Sequence, residues 1–179
     1  MSNIRSFDGM TPKLGESVWV DPTAVVIGDV EIGDDSSIWP MTAIRGDVNR
    51  IRIGSRTNIQ DGCVLHVTHA NPASPNGHPL IIGSDVTAGH KVLLHGCTIG
   101  DRCLIGMGSI VMDGAELASD IILAAGSLVT EGKRLEGGYL WCGSPAKRLR
   151  RLSDEELAFL AYVPGHYVKL AEKYRQSGI

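Results

Sequence analysis

Three histidines in this 179-residue chain have the type and spacing to form a metal site. His90 and His95 lie five residues apart, and His66 lies on an earlier segment. Neutral imidazoles are good zinc ligands, and three of them with one open position form a typical catalytic zinc centre. Such a centre lowers the pKa of water to about 7 and supplies hydroxide at neutral pH. Whether the three rings meet depends on the elements that carry them.

Aliphatic residues recur every six positions over most of the chain. A period of six fits neither a helix nor a simple strand, and it predicts the hexapeptide coils of a parallel β-helix. Gly makes up 22 of the 179 residues and aromatics only 5%, as a narrow prism with tight corners requires. The six-residue positions are Val20, Val26, Ile32, Ile38, Ile44, Ile53, Ile59, Leu65, Ile82, Ala88, Leu94, Ile99, Ile105, Val111, Leu117, Leu123 and Val129.

Counting three hexads to a coil assigns the candidate residues to faces of the prism. His66 and His95 follow inward residues of one face and stack in adjacent coils, with Arg45 in the coil before. Asp61 and His90 stack on the preceding face. Side chains on two faces of one prism diverge, so one metal needs the two faces to come from different chains. Repeating that contact closes a ring, which predicts a homotrimer with sites at its interfaces.

Polar residues beside the histidines are candidates for supporting roles. Gln60 and Asp61 would orient a hydroxide or a ligand ring. Arg45 and Asp61 could pair across the interface, with Asp47 holding the guanidinium. The alternative is that these charges form plain interface salt bridges and that outward histidines are simply solvated. Solvation is our interpretation of His69, His78 and His166.

The chain divides into an irregular lead-in over residues 1–14, a β-helix over 15–146 and a C-terminal helical segment over 147–179. Residues 69–79 are rich in the turn-forming residues Pro and Asn and predict a loop that projects from one corner of the prism. Ser153 and Glu156 form a capping box that opens the helical segment. Pro164-Gly165 is expected to interrupt it, giving two helical stretches that cover the end of the prism.

Composition excludes several classes of protein. A net charge of -3 without a basic stripe argues against nucleic-acid binding. No apolar run reaches the ~18 residues of a membrane span. The four cysteines lack CxxC spacing and no secretory signal precedes them, which predicts a cytoplasmic protein with reduced thiols.

The chain carries the motifs Arg45-Gly46-Asp47, Ile51-Arg52-Ile53-Gly54, Thr57-Asn58-Ile59-Gln60-Asp61, His66 and Gly89-His90-Lys91-Val92-Leu93-Leu94-His95-Gly96-Cys97. Together these motifs resemble the γ-class carbonic anhydrase family, and the similarity runs from about Gly15 to the C-terminal helix. The resemblance implies a left-handed β-helix in a homotrimer, with Zn²⁺, or alternatively Fe²⁺ or Co²⁺, between subunits. His66 and His95 would be ligands from one chain and His90 from its neighbour. Gln60 would lie near the hydroxide, and Arg45, Asp47 and Asp61 would form the interface network.

Two departures from the family pattern concern proton transfer. Strongly active members carry a glutamate after the aspartate of the Arg-Gly-Asp motif, where this chain has Val48. They also carry an acidic loop after the first metal histidine, and this chain has none there. His69 could act only as a weak proton shuttle. By resemblance to shorter bacterial relatives, Tyr167, or alternatively Tyr162, would approach the metal, although helix packing explains both.

The function expected from these residues is reversible hydration of CO2 to bicarbonate by a zinc-bound hydroxide at the trimer interfaces, with weak or lost activity. One alternative is a hexapeptide acyltransferase or metal-dependent thioesterase acting on acyl-CoA. Another is a non-catalytic trimeric protein that keeps the metal. The expected partners are two further copies of the chain and the small molecules CO2 and bicarbonate.

Overall fold

The computed structural model describes residues 3–178, which form a parallel β-helix followed by one helix. The strands are β1 Ile4–Arg5, β2 Lys13–Leu14, β3 Trp19–Val20, β4 Val25–Ile32, β5 Ser37–Ile38, β6 Ala43–Ile53, β7 Asn58–Ile59, β8 Val64–His66, β9 Leu80–Ile82, β10 Thr87–Ala88, β11 Leu93–His95, β12 Thr98–Ile99, β13 Leu104–Ile105, β14 Ile110–Val111, β15 Glu116–Leu117, β16 Ile122–Leu123, β17 Leu128–Val129, β18 Arg134–Leu135, β19 Tyr139–Cys142 and β20 Lys147–Arg151. The helix, α1, is Asp154–Gln176.

The predicted fold is confirmed: successive strands turn corners and pair in parallel with strands one coil away. One row runs β6-β8-β11-β14-β17, a second runs β6-β9-β12-β15-β18, and a third runs from β3 through β5, β7, β10, β13 and β16 to β19. We call them face A, face B and face C. The inward aliphatic positions of all three are buried in one core. This is the left-handed parallel β-helix expected of hexapeptide repeats.

The register of the strands confirms the count of faces. Leu65 pairs with Leu94, and His66 with His95, on face A. Ile59 pairs with Ala88 on face C. The loop therefore leaves the order of the coils intact, because it projects outward without adding a strand to any row.

Two insertions interrupt the hexads at the corner between faces A and B. In β6, Gly46 pairs with Gly28 of β4, and pairing resumes between Ile51 and Val30, so β6 carries three extra residues. A Cβ on Gly28, whose φ is +80°, would meet the carbonyl oxygen of Gly46 at 2.2 Å, so the strands approach closely here. The second insertion is the predicted loop, which folds back on itself through bridges between Thr68 and His78 and between Asn71 and Ser74.

The ends of the β-helix differ from the expectation in three ways. The lead-in contributes two short strands, β1 and β2, which pair with β4. The segment after residue 146 starts with a strand, β20, which pairs antiparallel with β19 and closes the last coil. Helix α1 does not cover the end of the prism. Instead it lies along face C, starting beside β20 and ending where Tyr174 packs on Trp19 of the first coils.

The predicted interruption of the helix at Pro164-Gly165 is wrong. Helix α1 is continuous over 23 residues with Pro164 inside it. Proline removes one helical hydrogen bond and costs about 3 kcal/mol in a helix interior. Burial of Leu160, Val163 and Pro164 on one side offsets that cost. The predicted capping box at Ser153 and Glu156 is present.

Candidate metal centre

Two histidine rings meet on face A. His66 and His95 are register partners in β8 and β11, and Nδ1 of His66 lies 3.0 Å from Nε2 of His95. Two ligands of one tetrahedral zinc ion at the usual Zn–N length lie about 3.3 Å apart. The nitrogen pair therefore has close to the spacing that a shared metal requires.

A carboxylate holds the far side of each ring of this pair. Nε2 of His66 lies 3.0 Å from Oδ1 of Asp47, and Nδ1 of His95 lies 2.6 Å from Oδ1 of Asp113. An ionised carboxylate only accepts hydrogen bonds, so each contact places the ring proton on the nitrogen facing the aspartate. Each neutral ring then directs a lone pair at the other ring. Two facing lone pairs repel unless a cation lies between them.

The three-residue insertion in β6 provides Asp47. It places the carboxylate between Arg45 and His66. The guanidinium of Arg45 donates a hydrogen bond to the carboxylate and forms an ion pair with it, which is the predicted contact between these two residues. Burial disfavours the charged carboxylate, but the hydrogen bonds from Arg45 and His66 outweigh burial and lower the pKa of Asp47. Asp47 is therefore a carboxylate at neutral pH and remains an acceptor for His66.

The third histidine lies on face C with an aspartate of its own. Nδ1 of His90 is 2.9 Å from Oδ2 of Asp61 in the adjacent coil. Gln60 is buried beside them, with its amide nitrogen donating to Asn58 at 3.0 Å. Within residues 3–178 of one chain, no three His, Cys, Asp or Glu side chains form a group able to hold a metal. One chain therefore contributes two parts of a site, on different faces.

A cleft of about 540 Å³ separates α1 from face C next to His90. Its walls are mostly aliphatic and aromatic. Polar groups from Gln60, His90, His166 and Tyr167 line it as well. The remaining lining residues are Thr87, Gly89, Leu104, Ile105, Gly106, Met107, Ile122, Leu123, Ala124, Ala125, Phe159, Tyr162 and Val163.

Known proteins resemble the chain over most of its length. A family model described as bacterial transferase hexapeptide (six repeats) matches residues 11–46. Protein YrdA of Escherichia coli is 55% identical over 98% of this chain and 95% of its own length. Gamma carbonic anhydrase 1, mitochondrial, of Arabidopsis thaliana is 45% identical over 91% of this chain and 59% of its own length. The chain belongs to the γ-class carbonic anhydrase family of hexapeptide-repeat proteins.

A solved structure supports the same assignment. The hexapeptide transferase family protein from Anaplasma phagocytophilum is 42% identical, with a TM-score of 0.89 over 96% of this chain and 97% of that one. The γ-class carbonic anhydrase name and the transferase name thus both occur among close relatives, so the family alone does not decide the reaction.

In this γ-class chain, the two expected departures from the family pattern concern Val48 and the segment after His66, where His69 is the candidate for a weak proton shuttle. Val48 is half-exposed beside Asp47 on the insertion of β6. His69 is exposed on the loop after β8. Neither places a carboxylate near the histidine pair.

Tyr167 faces both the cleft and the helix-packing cluster. Its ring contacts Trp39 edge-on, with ring centroids 5.6 Å apart, so packing accounts for much of its environment. Burial, and then the negative charge of Asp61, raise the pKa of its phenol. The hydroxyl therefore stays protonated and can donate. Tyr162, the alternative candidate, is largely exposed at the rim of the cleft.

Asp113 is the residue of this centre that the sequence analysis missed. It lies 18 residues after His95, whereas β11 and β14 are offset by 17 residues, so its backbone is one position past the register partner of His95 and its side chain reaches back to the ring. The coil count alone does not pair it with His95, because it places Asp113 opposite Gly96, and only the direction of the side chain brings the carboxylate to the ring.

Proposed function

We propose that this protein is a metal-dependent carbonic anhydrase that hydrates CO2 reversibly to bicarbonate. The observation that carries the proposal is the set of three histidine–aspartate pairs, two facing each other on face A and one on face C. In each pair the aspartate occupies one ring nitrogen and leaves the other free for a metal. The 45% identity to the gamma carbonic anhydrase of Arabidopsis thaliana supports CO2 as the substrate.

The working unit of this proposal is a homotrimer. His66 and His95 of one chain would hold the metal together with His90 of the neighbour, since faces A and C of one prism diverge. Zn²⁺ suits three imidazoles best, and Fe²⁺ or Co²⁺ fit the same donors.

The surface of face A supports such an assembly. Its outward positions form an apolar row, with Val64 45% and Ile110 40% exposed. On the corner beside His90, Met41 and Met107 are exposed as well. Apolar rows of this kind are buried in stable interfaces. The complete row is Ala43, Val64, Leu93, Ile110 and Leu128.

When bound, zinc supplies hydroxide at neutral pH by acidifying water. Hydration of CO2 to bicarbonate would consume one water molecule and release one proton, which has to leave for the solvent. Asp47 and Asp61 keep His66 and His90 oriented, and the amide of Gln60 would orient the reacting oxygen. Because Val48 offers no carboxylate and His69 is solvated, proton export is poorly supported, and we propose that turnover is slow.

Replacing His90 with alanine tests this proposal. We expect the zinc content of protein purified without chelator to fall to background, because only two ligands per site remain. CO2 hydration measured by stopped flow should fall with it. The matched control is His69→Ala, which should keep both. Unchanged zinc in the His90 variant would refute a shared interfacial site.

The cleft beside His90 favours a second candidate, hydrolysis of a thioester or ester by the same centre. Its volume of about 540 Å³ is within the range of small-molecule sites and far exceeds what CO2 needs. In that reaction water adds to the carbonyl carbon, the C–S or C–O bond breaks, and the leaving group takes the proton. We expect Ala124→Phe, which fills the cleft, to slow the hydrolysis of nitrophenyl hexanoate. The same variant should hydrolyse nitrophenyl acetate and hydrate CO2 at the rates of the wild type. If the variant matches the wild type on all three substrates, this candidate is discarded.

A further inference from the structure

We propose that Asp113 is a positioning residue of the metal centre, which fixes the ring of His95 and ties it to the inserted loop. The inference rests on the proposed metal function. Asp113 lies at the corner after β14, one coil beyond His95, and its side chain is 23% exposed. Its two carboxylate oxygens have different partners. Oδ1 lies 2.6 Å from Nδ1 of His95, and Oδ2 accepts a hydrogen bond of 2.6 Å from the hydroxyl of Thr68.

The contact with His95 selects one tautomer of the ring. A neutral imidazole carries one proton, and the nitrogen without it is the one that binds metal. Asp113 keeps the proton on Nδ1, so the lone pair of Nε2 points at His66. Without the carboxylate the proton can occupy Nε2, and the ring can turn away from the position that ligation requires.

The contact with Thr68 ties Asp113 to the base of the inserted loop as well. Thr68 exchanges two backbone hydrogen bonds with His78, and its carbonyl accepts a hydrogen bond from the side chain of Asn49. These contacts close the base of the loop and join it to the insertion of β6. Asp113 thus connects both insertions to His95.

The backbone makes room for this carboxylate. A Cβ on Gly96, whose φ is +52°, would meet Oδ1 of Asp113 at 2.3 Å. The glycine directly after His95 therefore allows the carboxylate to reach the ring.

Asp113→Asn tests the role because it preserves the shape of the side chain and removes its charge. We expect the zinc dissociation constant, measured by competition with a chelating dye, to rise about 10–100-fold. The midpoint of unfolding of the metal-free protein should stay close to that of the wild type. Thr68→Val should show a smaller rise, since it removes only one contact of the carboxylate.

Asp101→Asn is the matched control. Asp101 is also a corner aspartate, but it accepts a hydrogen bond from the backbone of Ser84 and touches no histidine. Its variant should keep the zinc affinity of the wild type. If Asp113→Asn binds zinc as tightly as wild type, or if Asp101→Asn loses as much, the positioning role is overturned.

A second measurement separates this inference from the proposed function. Nitrogen-15 NMR of the histidine rings in the metal-free protein reports the tautomer of His95 directly. We expect the proton on Nδ1 in the wild type and a mixture of tautomers in Asp113→Asn. If the wild type binds no zinc, the metal function fails while the tautomer result still decides whether Asp113 orients the ring. An unchanged tautomer in the variant would contradict that role.

Discussion

At the scale of single residues, pairing with a carboxylate gives each histidine of the site a defined free nitrogen. Asp47, Asp61 and Asp113 reach their histidines from three different segments. The coil count predicts that His66 and His95 adjoin, because the period of the repeat fixes which residues stack. It cannot predict which ring nitrogen faces which oxygen, because side-chain rotation depends on the insertions and on packing.

The cysteines allow a test of burial at the same scale. Burial raises the pKa of Cys63 and of Cys103 to about 12, and it raises the pKa of Cys97 as well. We expect these three thiols to react with Ellman's reagent only after unfolding, because the thiolate is the reactive form. Cys142 is partly exposed and should react in the folded protein.

Counting thiols before and after addition of guanidinium checks this expectation. One thiol per chain should react promptly in buffer, and all four should react in the denaturant. Cys142→Ser is the control, and it should abolish the prompt reaction. Prompt reaction of two or more thiols in the wild type would show that the core opens readily.

At the scale of elements, the regular coils follow from the sequence and the departures from regularity do not. Inward aliphatic residues every six positions specify the faces and their order. Helix α1 is different. Local conformational preference alone predicts that the helix breaks at Pro164, yet the helix is continuous there. Its continuity depends on contacts with residues more than a hundred positions away, such as Trp39 against Tyr167. Local patterns contain no information on that packing.

The start of α1 should depend on pH. Glu156 receives two hydrogen bonds from Arg150 and one from the backbone of Ser153, which lower the pKa of Glu156 from 4.5 to about 2. A lowered pKa in the folded state means that the contact adds stability above pH 4.5 and loses it as the pH falls toward 2. We therefore expect the difference in urea midpoint between wild type and Glu156→Gln to be largest at neutral pH.

Circular dichroism of urea titrations between pH 7 and pH 3 measures this difference. It should shrink steadily below pH 4.5. Glu131→Gln, at an exposed position, is the control and should differ little from wild type at any pH. A difference that stays constant over the whole range would mean that the charge of Glu156 does not stabilise the helix.

At the scale of the whole molecule, the divergence of faces A and C makes assembly a condition of the proposed chemistry. Ile110→Asp should place a carboxylate in the middle of the proposed interface. An uncompensated buried charge costs several kcal/mol, so we expect assembly to weaken by at least about a hundredfold. Zinc content should fall in parallel, although neither His66 nor His95 is altered.

Analytical ultracentrifugation with metal analysis of the same samples tests the link. Thr98→Asp on face B is the control, because that face would point away from the neighbours, and it should remain trimeric and retain zinc. A monomeric Ile110 variant with full zinc content would show that one chain suffices for the metal.

Among residues 3–178 no helix is long and apolar enough to cross a bilayer.

Helix α1 gives the molecule a contact between its first and last coils, which neighbouring coils alone would not provide. It starts beside β20 and packs its far end on Trp19 and Trp39. During synthesis on the ribosome the early coils would be made long before this helix emerges. The two tryptophans would stay open to water and to chaperones until then. Completion of the helix would therefore mark the moment at which the nascent chain becomes a closed, cooperative unit.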